Sequence, residues 1–190
     1  MITDLFTCTC DEHMSRNLLK QVTPAEIKET FASLPKNKAH GPDGYPAEFF
    51  TGCWDFVGEE VTSAIFEFFS SGKILRQWNS TILALIPKNA PSVSITDFRP
   101  ISCCNTLYKV ISKNLANRLQ LFLPQAISNT QKAFVQGRLL VENVLLATEL
   151  VQGYDRKHIS PRAMLKVDLK KAFDSVKWDY INIKWAKFSY

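Results

Sequence analysis

Residues 164–180 read MLKVDLKKAFDSVKWDY. Side chains at every second position of an extended chain point to the same side. One side here would carry Leu165, Val167 and Leu169, and the other would carry Met164, Lys166 and Asp168. The alternation predicts a β-strand over residues 164–169 that buries its leucines and presents Asp168 on the opposite face.

Asp168 is the candidate metal ligand of this strand. A carboxylate on a rigid element supplies the hard oxygen that Mg²⁺ prefers. The alternative is structural, because an aspartate at the end of a strand is more often a turn or helix-cap residue.

The sequence before this strand alternates between helical patterns and loops. Helical periodicity predicts a helix that begins at Pro24 behind the capping residue Thr23 and is stopped by Pro35. It predicts three more helices, over residues 54–68, 108–122 and 142–152. Gly72 would close the helix 54–68, whereas Asn105 would cap the helix 108–122 and Pro124 would end it. Residues 81–86 form an apolar run that predicts a buried strand. These elements predict a helix-rich α+β protein.

The composition indicates a folded protein kept under reducing conditions. The chain has 190 residues, 46% of them hydrophobic, enough for one domain with a real core. Its five cysteines are odd in number and include the adjacent pair Cys103-Cys104, which argues against a secreted disulfide framework. No apolar run approaches the roughly 20 residues of a membrane span, and the N-terminus lacks a signal-peptide pattern. We expect an intracellular location, in the nucleus or cytoplasm.

Basic residues are concentrated in two stretches. Residues 71–120 hold seven basic and one acidic side chains, and residues 161–190 hold seven and three. The stretches predict a phosphate-rich partner or an ordinary solvated surface. Lys88 and Arg99, on either side of Asp97, are candidates for gripping phosphates. The alternative is a surface lysine beside a structural Arg–Asp pair.

Four segments, taken in order, resemble the reverse transcriptases of non-LTR, LINE-type retrotransposons, particularly plant lineages. They are LPKNKAHGPDGYPAEFF (34–50), LIPKNAPSVSITDFRPISCCNTLYKVISKNLANRL (85–119), QKAFVQGRLLVENVLLATELV (131–151) and the strand segment 164–180. The resemblance implies the N-terminal extension, fingers and first palm strand of a right-hand polymerase over residues 22–180. Residues 1–21 would be a connector and residues 181–190 a divergent tail.

The resemblance also implies roles for individual residues. Asp168 would be the first catalytic, Mg²⁺-binding aspartate, and Phe173 would lie under the nucleotide sugar. Lys88 and Arg99 would hold the triphosphate of the incoming dNTP. Gln131, Gly137 and Arg138 would contact the template and shape the nucleotide pocket. The implied partners are an RNA template, a DNA primer and dNTPs, with no membrane and no obvious protein partner.

Two-metal phosphoryl transfer needs several carboxylates, and the sequence contains no Asp-Asp pair. We therefore expect a truncated reverse transcriptase domain with an incomplete palm, inactive alone in RNA-templated DNA synthesis. The alternatives are a non-catalytic nucleic-acid-binding fragment and a functionless relic of a retroelement.

Overall fold

The computed structural model describes residues 12–133, 135–152, 163–165, 167, 175–177 and 179. The helices and strands are, in chain order, α1 (Glu12–Leu19), α2 (Pro24–Ala32), α3 (Ala47–Gly52), α4 (Trp54–Ser71), β1 (Thr81–Pro87), β2 (Phe98–Cys104), α5 (Thr106–Ala126) and α6 (Leu140–Val151). The chain divides into two compact units. The central unit is Lys20–Arg118, and the terminal unit joins Met1–Leu19 to Leu119–Tyr190.

The start of α2 confirms the predicted capping residue. Thr23 is extended, and its hydroxyl accepts a hydrogen bond from the backbone N–H of Glu26 at 3.2 Å. This bond satisfies one of the N–H groups that have no partner inside the first turn. The helix ends at Ala32, three residues before Pro35, the residue predicted to stop it.

The core of the central unit lies between α2, α3, α4 and the first half of α5. Its buried side chains are aliphatic and aromatic: Val22, Ile27, Phe31, Phe50, Val61, Ile65, Val110 and Ile111. Phe31 contacts the rings of Phe50 and Trp54, with centroids 5.2 and 5.4 Å away. Burial of such side chains contributes about 1.5–3 kcal/mol each. The predicted Gly72 stop of α4 is confirmed, because Gly72 has a φ of 67° and its N–H donates to Phe68 O.

β1 and β2 form a two-stranded antiparallel hairpin. Thr81 pairs with Cys104 at one end and Pro87 with Phe98 at the other. The predicted strand 81–86 is therefore present, but the prediction that it is buried was wrong, since Leu83 is 61% exposed and Leu85 51% exposed. The reason is that the strand has a single hydrogen-bonded neighbour and, among the described residues, no second layer covers either face of the hairpin. An apolar run alone does not distinguish an interior strand from such an exposed one.

α5 runs through the proline that was expected to end it. Pro124 lies inside the helix, two residues before its last residue Ala126. A proline inside a helix removes one backbone donor, but its fixed φ near −65° is itself helical, and α5 continues for half a turn beyond it. Asn105 precedes the helix as predicted, but its side-chain oxygen accepts from Asp43 N of a distant loop at 3.3 Å.

In the terminal unit, the predicted helix over residues 142–152 is confirmed as α6, which begins two residues earlier at Leu140. The connector residues 12–19 contain the short helix α1. Of the predicted strand 164–169, residues 166, 168 and 169 lie outside the described residues, and so do Phe173 and the tail 181–190. The described positions Met164, Leu165 and Val167 are not in a strand, contrary to the prediction. Of the residues expected to be buried in that strand, Leu165 is 87% and Val167 69% exposed, contrary to the prediction.

Candidate functional site

The tip of the β1–β2 hairpin brings Lys88 and Arg99 together. Arg99 pairs with Ile86 in the register of the two strands. The ladder continues past Pro87, because Lys88 N donates to Asp97 O at 2.7 Å. Paired residues and those two positions along share a face of a hairpin. Lys88 and Arg99 are therefore diagonal neighbours on one face of the tip, and both are exposed.

Asp97 belongs to the loop that connects the two strands. One of its carboxylate oxygens accepts from Ser94 N at 2.9 Å and from Val93 N at 3.1 Å. Together with the Ser94 side chain this forms a reciprocal capping box around one turn of 3-10 helix, Ile95–Asp97. The amide of Ser94, then that of Val93, and finally the charge of Lys88 hold the pKa of Asp97 below its ordinary value.

The two cations differ in whether their side chains bond to the protein. The ammonium of Lys88 donates to Thr96 O at 2.7 Å across the tip. Within the described ranges Arg99 makes no ion pair with Asp97, whose carboxylate is occupied by loop amides. The Arg–Asp pair considered as the structural alternative is therefore absent there. The exposed Arg99 guanidinium has no side-chain partner among the described residues, and its fork matches phosphate oxygens.

A cluster of hydrogen bonds at the base of the hairpin ties it to the Gly41-Pro42-Asp43-Gly44 turn. Asn105, only 2% exposed, accepts from Asp43 N and donates through Nδ2 to Gln77 O at 2.8 Å. The next residue, Thr106, donates to Tyr45 O at 2.7 Å. Gly41 lies so close to Asn105 that a Cβ there would be 2.0 Å from its Oδ1. The turn, β2 and α5 are thus fixed to one another.

Sequence reasoning missed two of these features. The motif Ser94-Ile95-Thr96-Asp97 has the S/T-x-x-D/E spacing of a capping box and could have identified the ordered loop tip. The contact between Gly41 and Asn105, by contrast, joins residues far apart in sequence, and no local signal announces it.

The segment containing Gln131, Gly137 and Arg138 lies in the terminal unit. Gln131 is exposed, and its side-chain amide donates to Ala133 O at 3.2 Å. Gly137 has a φ of 78°, a left-handed conformation that favours glycine. The Arg138 guanidinium is surrounded by carbonyl oxygens between α5 and Gln131, the closest being Ser128 O at 2.6 Å.

The predicted metal ligand cannot be placed, because Asp168 lies outside the described residues. Within the part of the chain that the structure describes, no three His, Cys, Asp or Glu side chains are grouped as a metal site requires. Among those same residues, no helix is both long and apolar enough to span a bilayer.

Comparison with known proteins settles the family. Residues 86–190 match the family described as "Reverse transcriptase (RNA-dependent DNA polymerase)". This chain belongs to the reverse transcriptase family. Polymerases of this family generally use Mg²⁺, and they act on nucleic-acid templates, primers and dNTPs.

The relatives are proteins of non-LTR transposable elements, as predicted. The transposon TX1 uncharacterized 149 kDa protein of Xenopus laevis is 32% identical over 170 residues, which cover 90% of this reverse transcriptase chain and 13% of the relative. The Pol polyprotein from the type-1 retrotransposable element R2 of Nasonia vitripennis is 29% identical, covering 85% of this chain and 15% of the relative. The probable RNA-directed DNA polymerase from transposon BS of Drosophila melanogaster is 28% identical, covering 89% and 19%. The expected plant affinity is untested by these animal proteins and stays a prediction.

Proposed function

We propose that this chain forms the N-terminal extension, fingers and first palm strand of a right-hand polymerase that synthesises DNA on an RNA template. The observation that carries the proposal is the hairpin tip, where Lys88 and Arg99 share an exposed face. Asp97, the acidic residue between them, has its charge turned toward the loop amides. The tip therefore presents net positive charge to solvent, as a triphosphate-binding surface must.

In this proposal each predicted residue keeps one role. Lys88 and Arg99 bind the phosphates of the dNTP. Gln131, Gly137 and Arg138 form the part of the nucleotide pocket that faces the template. Phe173 lies under the sugar.

Asp168 would hold Mg²⁺, which when bound would stabilise charge on the reacting phosphate oxygens. The other carboxylates of a two-metal site would have to come from outside this sequence, which contains no Asp-Asp pair. A test on the 190-residue chain must therefore measure binding rather than synthesis.

The sharpest test measures binding of tripolyphosphate by isothermal titration at low salt, with the wild-type chain and three variants. A cation at an exposed site contributes about 0.2–1 kcal/mol, so Lys88→Gln and Arg99→Gln should each weaken binding by up to about fivefold. Lys73→Gln is the matched control, because Lys73 is also an exposed lysine of the central unit but lies outside the hairpin. Equal affinity in all four proteins would contradict the assignment of the hairpin tip.

A second candidate is a non-catalytic nucleic-acid-binding role. It is favoured by exposed cations of the central unit that have no partner among the described residues, such as Lys73, Arg76 and Arg99. Binding of a single-stranded RNA oligonucleotide would be sequence-independent and would weaken with salt, with a slope of about −0.7 per phosphate contact. If RNA binding is retained in Arg99→Gln but tripolyphosphate binding is lost, the two roles use separate surfaces.

A further inference from the structure

The guanidinium of Arg138 is hydrogen-bonded mainly to the protein backbone. Its Nη1 and Nη2 donate to four carbonyl oxygens and lie near one side-chain amide oxygen. These acceptors are Ser128 O (2.6 Å), Gln131 O (2.8 Å), Pro124 O (2.8 Å), Ile127 O (3.0 Å) and Asn129 Oδ1 (3.3 Å). Both terminal nitrogens are therefore saturated, and only Nε remains for any other ligand.

These acceptors share a position just beyond α5 or in its last turn. The last four carbonyls of a helix have no partner within the helix, and a positive charge near a helix C-terminus is favourable. Pro124 O belongs to that last turn, and Ile127 follows directly after Ala126, the final residue of α5. Arg138 thus closes the end of α5 from 11 to 14 residues further along the chain.

The same segment is also joined to α6. Lys132 Nζ lies 2.5 Å from the carboxylate of Glu142, in the first turn of α6. The neighbouring Asn143 donates to Thr130 O at 3.4 Å. Segment 127–138 is therefore bonded to the end of α5 through Arg138 and to the start of α6 through Thr130 and Lys132.

We propose that Arg138 is a positioning residue, which holds segment 127–138 in the conformation that presents Gln131 and Gly137 to the template and does not itself contact a template phosphate. The identity of the template rests on the proposed function, whereas the backbone clamp does not. Lysine cannot replace the clamp, because one ammonium group on a flexible stem lacks the planar fork that reaches carbonyls on two sides.

The test compares Arg138→Lys, which keeps the charge, with Arg138→Gln, which removes it. Amide hydrogen exchange of the full chain reports the clamp through residues with protected N–H groups, namely Ile127, Gln131 and Arg138. Losing several charge-assisted hydrogen bonds should speed exchange at these amides about tenfold or more in both variants. Exchange of the amides in α2 should not change in either. Wild-type protection in Arg138→Lys would overturn the inference.

RNA binding separates positioning from direct phosphate contact. A phosphate contact would be kept by lysine, and its loss in Arg138→Gln would lower the salt slope by about 0.7. A positioning role predicts that both variants lose affinity to a similar extent while the slope stays at the wild-type value. A lowered slope in Arg138→Gln with normal binding by Arg138→Lys would refute the proposal.

Lys132→Gln is the matched control, since it removes a cation from the same segment without touching the carbonyls that Arg138 holds. Its amides at Ile127 and Gln131 should exchange within about twofold of the wild-type rates, because a single partly exposed ion pair is weak. If the wild-type chain binds no RNA at low salt, the proposed function fails, and the exchange measurements still decide whether the clamp exists.

Discussion

Replacing Gly41 by alanine tests how the Gly41-Pro42-Asp43-Gly44 turn is fixed to the base of the hairpin. A Cβ at this position would lie 2.0 Å from Asn105 Oδ1, 2.4 Å from Asn105 N and 2.6 Å from Asn105 Cα. Two of these atoms are backbone, so no side-chain rotation relieves the clash. The φ of Gly41 is outside the left-handed region, unlike that of Gly44 at 79°. The cost of Gly41→Ala is therefore purely steric.

The expected loss in the free energy of unfolding is set by whichever of two structural responses costs less. If the turn stays in place, overpacking against backbone costs about 1–3 kcal/mol or more. If the turn moves away, it loses the bonds from Asp43 N to Asn105 and from Thr106 to Tyr45 O. Two neutral hydrogen bonds contribute about 1–3 kcal/mol together. We expect a loss of about 1–3 kcal/mol in the free energy of unfolding, within the 5–15 kcal/mol typical of a domain, so the variant should still fold.

Urea unfolding, followed by tryptophan fluorescence, measures this change. With a slope of about 2 kcal/mol/M, the midpoint of Gly41→Ala should fall by about 0.5–1.5 M. Gly52→Ala is the control, because nothing lies within 4 Å of a Cβ added at this position and alanine favours the helix that contains it. Adding Asn105→Ala should not rescue the variant, since the backbone atoms of Asn105 remain. A midpoint for Gly41→Ala equal to that of Gly52→Ala would refute the steric argument.

Three further predictions concern single side chains. Arg118, through its hydrogen bonds at 2.9 Å, holds the pKa of Glu26 below its ordinary value of 4.5. The pair therefore stabilises the fold fully above that pH and loses its effect as pH falls through the lowered pKa. In an acid titration of unfolding, Glu26→Gln should lose less stability than the wild type, and the remaining loss comes from other carboxylates with lowered pKa values, such as Asp97. Asp97→Ala should speed hydrogen exchange at the two loop amides that Asp97 accepts from, while exchange in the helical core stays unchanged; equal rates in the loop would contradict the capping box. Asn114→Ala should cost about 0.5–1.5 kcal/mol, because it removes the hydrogen bond from Nδ2 to the Thr30 hydroxyl at 3.3 Å, while the buried Asn114 Oδ1 has no hydrogen-bond partner among the described residues. Ile111→Ala in the same helix should cost about 2–5 kcal/mol. Similar urea midpoints for the two variants would show that Asn114 matters more than its bonds indicate.

Local signals identified most of the helices but not their surroundings. Thr23 and Gly72 were correct as helix boundaries because a capping hydroxyl and a left-handed glycine act within one turn of the chain. Pro124 was wrong as a helix end, since a proline's fixed φ is compatible with a helix that continues past it. The strand 81–86 was predicted at the correct place, but its predicted burial was wrong, because burial depends on what packs against a strand.

The same distinction applies to the candidate site. Lys88 and Arg99 are candidates from their charge and position in the sequence, and the family resemblance adds the triphosphate role. Their common face follows from the hairpin register, which a single strand prediction could not supply. Asp97 was weighed as a partner for Arg99, yet two backbone amides from its own loop occupy it. Because the chain turns at Ser94, the amides three and four residues before Asp97 lie within reach of its carboxylate, whereas Arg99, two residues further along, would have to give up rotamer freedom to pair with it.

Arg99, Arg118 and Arg138 differ in whether their guanidinium donors have hydrogen-bond partners within the protein. Arg118 forms an ion pair with Glu26, and Arg138 donates hydrogen bonds to carbonyl oxygens; both side chains are only partly exposed. Arg99 alone of these three is exposed and without a partner among the described residues. A guanidinium that already has its donors satisfied gains little from a phosphate, because one set of charge-assisted hydrogen bonds would only replace another. The free donors of Arg99 make the hairpin tip, rather than the segment around Arg138, the place where a triphosphate should bind first. If Arg138→Gln weakened tripolyphosphate binding more than Arg99→Gln, this order would be wrong.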